Sequence, residues 1–104
     1  MPMETYILVV RETSRHDGID ADLIDDDGLV ETTTQLAYGD YDVTAERGDD
    51  EGPDRIEERF TVDASSVGIE VEREDGEFVF RAVADGEEAA RIEVSDTEWA
   101  LLQS

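Results

Sequence analysis

Histidine occurs once in the chain, at His16, flanked by Ser14, Arg15 and Asp17. A hydroxyl, an imidazole and a carboxylate are the parts of a nucleophilic triad. Such parts meet through the fold rather than by adjacency, and the strained Gly-x-Ser-x-Gly turn that presents a serine nucleophile is absent. One histidine without a second or any cysteine is poor material for a metal centre. His16 reads as an exposed loop residue.

The run Asp20-Ala-Asp-Leu-Ile-Asp-Asp-Asp-Gly28 invites a calcium reading. An EF-hand loop places acids at positions 1, 3 and 5, glycine at 6 and glutamate at 12. With Gly28 at position 6, Asp25 and Asp27 fit, but position 1 is Leu23 and position 12 is Thr34, so the match fails. The run reads as a hairpin tip with solvated acids, and Asp49-Asp50-Glu51 reads the same way. Glu57 and Glu58 form a solvated face; among 30 acids, paired carboxylates carry no signal of acid–base chemistry. A phosphate-binding Gly-x-x-x-x-Gly-Lys loop is ruled out because the chain has no lysine. No catalytic, cofactor-binding or metal-ligating residue is assigned. The only ions expected are nonspecific K⁺ or Na⁺ at surface carboxylates.

The charge itself is the stronger signal. Thirty acids face eight basic residues, all arginine, for a net charge of −22. Residues 1–52 and 53–104 hold 15 acids each, so the charge is spread evenly along the chain. A nucleic-acid mimic would instead gather it into a stripe. At about 1 M salt the screening length falls to about 3 Å and the self-repulsion is largely removed. Molar salt also drives apolar surface out of water more strongly, which disfavours the long aliphatic stem of lysine. The composition of the whole chain resembles that of proteins from salt-in haloarchaea. This resemblance is one of habitat, not of family, and it implies a halophilic cytoplasmic protein. Direct nucleic-acid binding is not expected without a basic patch. No apolar run is long enough for a membrane helix, and no leader-like segment opens the sequence.

The elements that would position these residues are strands. Val67–Glu74 and Glu77–Ala84 alternate about Asp75-Gly76, the dipeptide favoured where both central residues need positive φ. A two-residue turn there sets Val71 opposite Phe80, Ile69 opposite Ala82, Val67 opposite Ala84 and Glu70 opposite Arg81. The segment Tyr6–Val10 is apolar on both parities and should be a central strand. Asp27-Gly28 predicts a hairpin with Leu23 opposite Thr32, Ala21 opposite Thr34 and Ile19 opposite Leu36. Gly39-Asp40 predicts a type II′ turn that pairs Leu36 with Val43. Ile56 to Asp63 should form another strand. After Ala84, parity calls for a three-residue turn or a bulge at Gly86, so that Ala90, Ile92 and Val94 lie beside Ala82, Phe80 and Phe78. Ser95-Asp-Thr-Glu98 has the form of a capping box, and predicts a short helix from Asp96 to Gln103.

The sequence therefore predicts one acidic β-rich domain spanning 1–104. It would contain about eight short antiparallel strands in two meanders, 19–46 and 67–94, arranged as a small barrel or a sandwich. A short C-terminal helix and a mobile acidic loop over 47–55 complete the expectation. Function is expected to be that of a non-enzymatic protein-interaction or binding module, with an unknown protein partner or itself. The candidate interface residues are Trp99, Leu101 and Leu102 on the terminal segment and Val79 and Val83 on the second face of the hairpin. The alternatives are a small-ligand barrel with Tyr38, Tyr41 and Phe60 facing the ligand, or an acidic nucleic-acid mimic that binds a basic protein.

Overall fold

The computed structural model describes residues 3–13, 15, 17–45, 55–99 and 101–103. The predicted mobile loop lies outside these residues, Arg55 excepted. Nine strands are formed: β1 (Glu4–Glu12), β2 (Gly18–Asp25), β3 (Val30–Ala37), β4 (Val43–Ala45), β5 (Ile56–Val62), β6 (Val67–Glu74), β7 (Glu77–Ala84), β8 (Glu87–Ser95) and β9 (Leu101–Gln103). They build a four-stranded sheet in the order β3-β2-β1-β5, a three-stranded sheet β6-β7-β8 and a two-stranded ribbon β4-β9. All pairings are antiparallel.

The two larger sheets share one core. Leu8, Val10, Ile19, Ala21 and Leu23 from the first meet Phe78, Phe80, Ala82, Ile92 and Val94 from the second. Phe78 and Phe80 are fully buried, and truncating a side chain of this kind costs about 3–5 kcal/mol. β5 runs beside β8 and β3 beside β6, yet neither pair forms a ladder, so the barrel alternative gives way to separate sheets. Closure requires an unbroken, evenly staggered ladder. Bulges interrupt two of the four strands at these seams: the β2–β3 register shifts after Leu23 and the β7–β8 register after Ala82.

The hairpin expected at 67–84 forms with the predicted register. Asp75 and Gly76 both have positive φ, at 36° and 81°. β1 is central, with β2 on one side and β5 on the other. The β2–β3 pairing also follows the predicted partners. Its turn is longer than expected: Asp25 N–H donates to Leu29 O and Gly28 N–H to Asp25 O. The bulge then takes up one residue and restores the parity. At β7–β8 the turn is the two-residue Asp85-Gly86. The extra residue sits at Glu88–Ala90, not at Gly86, and brings Ala90 opposite Ala82 as the apolar pattern demands.

Two expectations are corrected. Gly39-Asp40 does not make a type II′ hairpin. Tyr38–Tyr41 is a 3-10 turn followed by Asp42 in the left-handed region, and β4 leaves β3 to pair with β9. Packing decides this, since Tyr38 and Tyr41 both contact the Phe78 ring, at 6.4 Å stacked and 5.2 Å edge-on. The C-terminal helix is also absent. Ser95 caps as expected, its Oγ accepting from Glu98 N–H at 3.2 Å. The chain then makes a single turn, closed by Trp99 N–H to Ser95 O and Leu101 N–H to Asp96 O. An eight-residue helix has little stability of its own. Leu101 and Leu102 instead alternate as a strand, one buried and one exposed.

Candidate functional site

Tightest among the polar arrangements is one that ties the C-terminal turn to the three-stranded sheet. Arg73, near the end of β6, gives two parallel hydrogen bonds to Asp96, Nη1 to Oδ1 and Nη2 to Oδ2, each 2.7 Å. The side chains are only 13% and 17% exposed. The guanidinium also lies 4.4 Å above the Phe78 ring. Asp96 beside it, by hydrogen bond and by charge, strengthens the hold of Arg73 on its proton. Asp96 N–H donates to Gly76 O, so the hairpin tip and the turn are joined twice. Trp99, which follows this turn, is 3% exposed.

A second arrangement lies at the end of the four-stranded sheet. Tyr6 is buried, and its hydroxyl donates to Glu4 Oε2 at 2.5 Å. That hydrogen bond, burial and the nearby charges of Glu4, Glu31 and Asp25 push the phenol up to about 12. Glu4, Tyr6 and Glu31 line an open groove of about 410 Å³ with Ala64, Ser65, Ser66 and Val67. Close by in sequence to Glu31, the carboxylates of Asp25, Asp26 and Asp27 come within 4.8 Å of one another at the hairpin tip. Asp25 Oδ1 already accepts from Asp27 N–H and Leu29 N–H, both at 2.9 Å. Its first task is therefore to shape the turn. Asp85 acts in the same way, accepting from Ser65 N–H and Ser66 N–H at 3.0 Å. These backbone donors hold its carboxyl below the ordinary range.

Arg81 stands directly opposite Glu70 as predicted, but its ion pairs go to Glu72 at 2.8 Å and Glu88 at 3.1 Å. It bridges three strands, and its hydrogen bond and charge hold Glu72 below the usual carboxylate range.

The expected interface residues are split by the fold. Trp99, Leu101 and Val79 are buried within the chain, Val83 is half-buried and Leu102 is 55% exposed. The aromatics expected at a ligand mouth are also divided. Tyr38 is buried and donates its hydroxyl to Glu12 at 2.6 Å. Tyr41 packs on Phe78, while Phe60 stacks on Tyr6 at 5.7 Å. No family model, curated protein or solved structure matches the chain.

His16, Ser14 and Asp49-Asp50-Glu51 lie outside the described residues. Glu57 and Glu58 are exposed on β5, as a solvated face requires. The Arg73–Asp96 pair escaped the sequence reading, because a separation of 23 residues leaves no local pattern. The available signal was indirect: Arg73 is the basic residue nearest the Asp75-Gly76 turn, and Asp96 follows the strand predicted to pair beside it.

Proposed function

We propose that this chain is a salt-adapted, non-enzymatic interaction module of a cytoplasm rich in KCl, which binds through its outer surface and not through an interior chamber. The observation that supports this most is the placement of the large side chains. Tyr38, Phe78, Phe80 and Trp99 fill the core between the sheets, and the grooves are open and edged by carboxylates such as Glu4, Glu31, Asp63, Asp85 and Glu87. A ligand-binding barrel would hold its aromatics around an enclosed space. The surface acids stay hydrated in concentrated salt, and Arg11 and Arg81 form ion pairs that link neighbouring strands.

Affinity capture with the tagged chain in about 2 M KCl, where nonspecific charge attraction is screened, tests the reading. Each captured protein is then purified and titrated against the chain. The reading requires at least one that binds saturably and is not retained by an unrelated acidic protein of similar charge. Retention of the same set by both baits would overturn it. So would turnover of a small molecule by the purified chain.

A further inference from the structure

The charge that covers this molecule is missing from one place. Thr32-Thr-Thr-Gln-Leu-Ala-Tyr-Gly39 is the longest stretch of the sequence without a charged residue, in a chain that is 37% charged. The fold places most of it on β3, an outer strand of the four-stranded sheet. The other long outer strands are guarded. β5 carries Glu57, Glu58 and Arg59; β6 carries Glu70, Glu72, Arg73 and Glu74; β8 carries Glu87, Glu88, Arg91 and Glu93. Charges are a usual means of stopping a sheet edge from pairing with another chain; β3 has a bulge at Glu31, which leaves residues 32–37 as its regular edge. The ribbon strands β4 and β9 lack charge too, but at three residues they are too short to template much.

β3 has eight residues and a single charge, Glu31. β6 passes beside it, yet among the described residues no backbone hydrogen bond joins the two. Leu29 and Val30 at its start are 66% and 57% exposed, two of the four large apolar side chains found exposed among the described residues. Thr33, Gln35 and Ala37 are exposed along its outward parity.

We propose that β3 is a self-association edge, at which two copies of this chain join antiparallel to make one continuous eight-stranded sheet. The occupant follows from charge. Two bodies of −22 repel each other over most of their surfaces, and β3 is the long edge that brings the fewest carboxylates together. A cationic partner would be drawn to the acidic edges instead. A two-fold axis through Thr34 sets Thr34 opposite its own copy, Thr33 opposite Gln35, Thr32 opposite Leu36 and Glu31 opposite Ala37, each pair on one face of the sheet. No like charges oppose each other across the pair, and threonine pairs stabilise such a contact. The arrangement is isologous and closes at two copies. A single strand pair buries less than the roughly 1,200–2,000 Å² of a stable interface. The dimer is therefore concentration-dependent, and it needs salt to screen the remaining charge. It forms whether or not a foreign protein binds elsewhere.

Sedimentation velocity in about 3 M KCl, from about 10 µM to about 1 mM, should show a monomer giving way to a dimer. Hydrogen exchange at the same two ends of the range should slow over residues 31–37 at the higher concentration, with β5, β6 and β8 unchanged. The double substitution Val30→Glu with Gln35→Glu alters exposed side chains and should weaken the dimer at least tenfold. Thr61→Glu with Thr97→Glu adds the same charge elsewhere and should leave it as it was. A monomer throughout, concentration-dependent protection on β5, β6 or β8 in place of β3, or equal effects of the two double substitutions would each overturn the proposal. The exchange experiment uses the unaltered chain, so a folding defect in a variant cannot decide the matter.

Discussion

Asp96→Ala should be among the most damaging changes that can be made without touching the apolar core. An exposed ion pair contributes about 0–1 kcal/mol, whereas breaking a fully buried one costs about 3–5 kcal/mol. The Arg73 and Asp96 side chains are 13% and 17% exposed and meet through two 2.7 Å hydrogen bonds, which puts them near the buried limit. The substitution leaves the guanidinium half-wrapped on Phe78 with no carboxylate, at a cost of about 2–3 kcal/mol. For a domain of this size that lowers Tm by roughly 8–12 °C. Arg73→Ala should cost slightly more, since it also removes the stacking on Phe78, worth about 0.5–1 kcal/mol. The two together should cost less than their sum by about 1.5–2 kcal/mol, the coupling of the pair. Urea unfolding in about 2 M KCl is the right assay, because urea leaves the ionic strength fixed. A destabilisation below about 0.5 kcal/mol for Asp96→Ala would match a surface pair and refute the reasoning, as would strict additivity in the cycle.

Gly18→Ala should destabilise by about 3 kcal/mol and disturb the β2–β3 pairing, because an added Cβ would lie 2.2 Å from Leu36 O; the urea midpoint measures it. Asp85→Asn should flatten the acid limb of stability. The carboxyl of Asp85 is held below its ordinary value of 3.8 by the Ser65 and Ser66 amides, so its contribution is complete above about pH 4 and is lost as the pH falls through the lower folded value. The readout is the difference between the two chains' melting curves from pH 5 downward. Tyr6 should resist ionisation well beyond the ordinary tyrosine range. Its raised value of about 12 against 10.0 means that it stabilises the fold fully below pH 10 and ceases to do so as the pH rises through about 12. An ultraviolet titration of Tyr6→Phe against the parent should remove a step near 12; loss of a step near 10 would contradict the assignment.

How much of this was legible in the sequence depends on the range of the interactions involved. The β6–β7 hairpin was, because Asp75-Gly76 and the alternation about it are local and agree. The β7–β8 parity was also readable, since Ala90, Ile92 and Val94 must join Phe78 and Phe80; only the position of the bulge was misplaced. The Gly39-Asp40 segment was not, because the same residues suit a type II′ turn or a 3-10 turn. The choice falls to Phe78, remote in sequence, on which Tyr38 and Tyr41 pack. The C-terminal segment failed for the same reason: Ser95 and Glu98 signal a first turn correctly, but its continuation as β9 depends on β4, more than 50 residues earlier. The uncharged run on β3 could be read from the sequence, whereas its place at the rim of a sheet could not, because strand order is a property of the whole fold.

Thermal unfolding followed by circular dichroism in about 0.1 M and about 3 M KCl bears most directly on the idea that the carboxylates answer to the solvent. The account predicts a cooperative melt in concentrated salt and a Tm lower by tens of degrees, or a broad and incomplete transition, in dilute salt. Superimposable melts in the two solutions would contradict it.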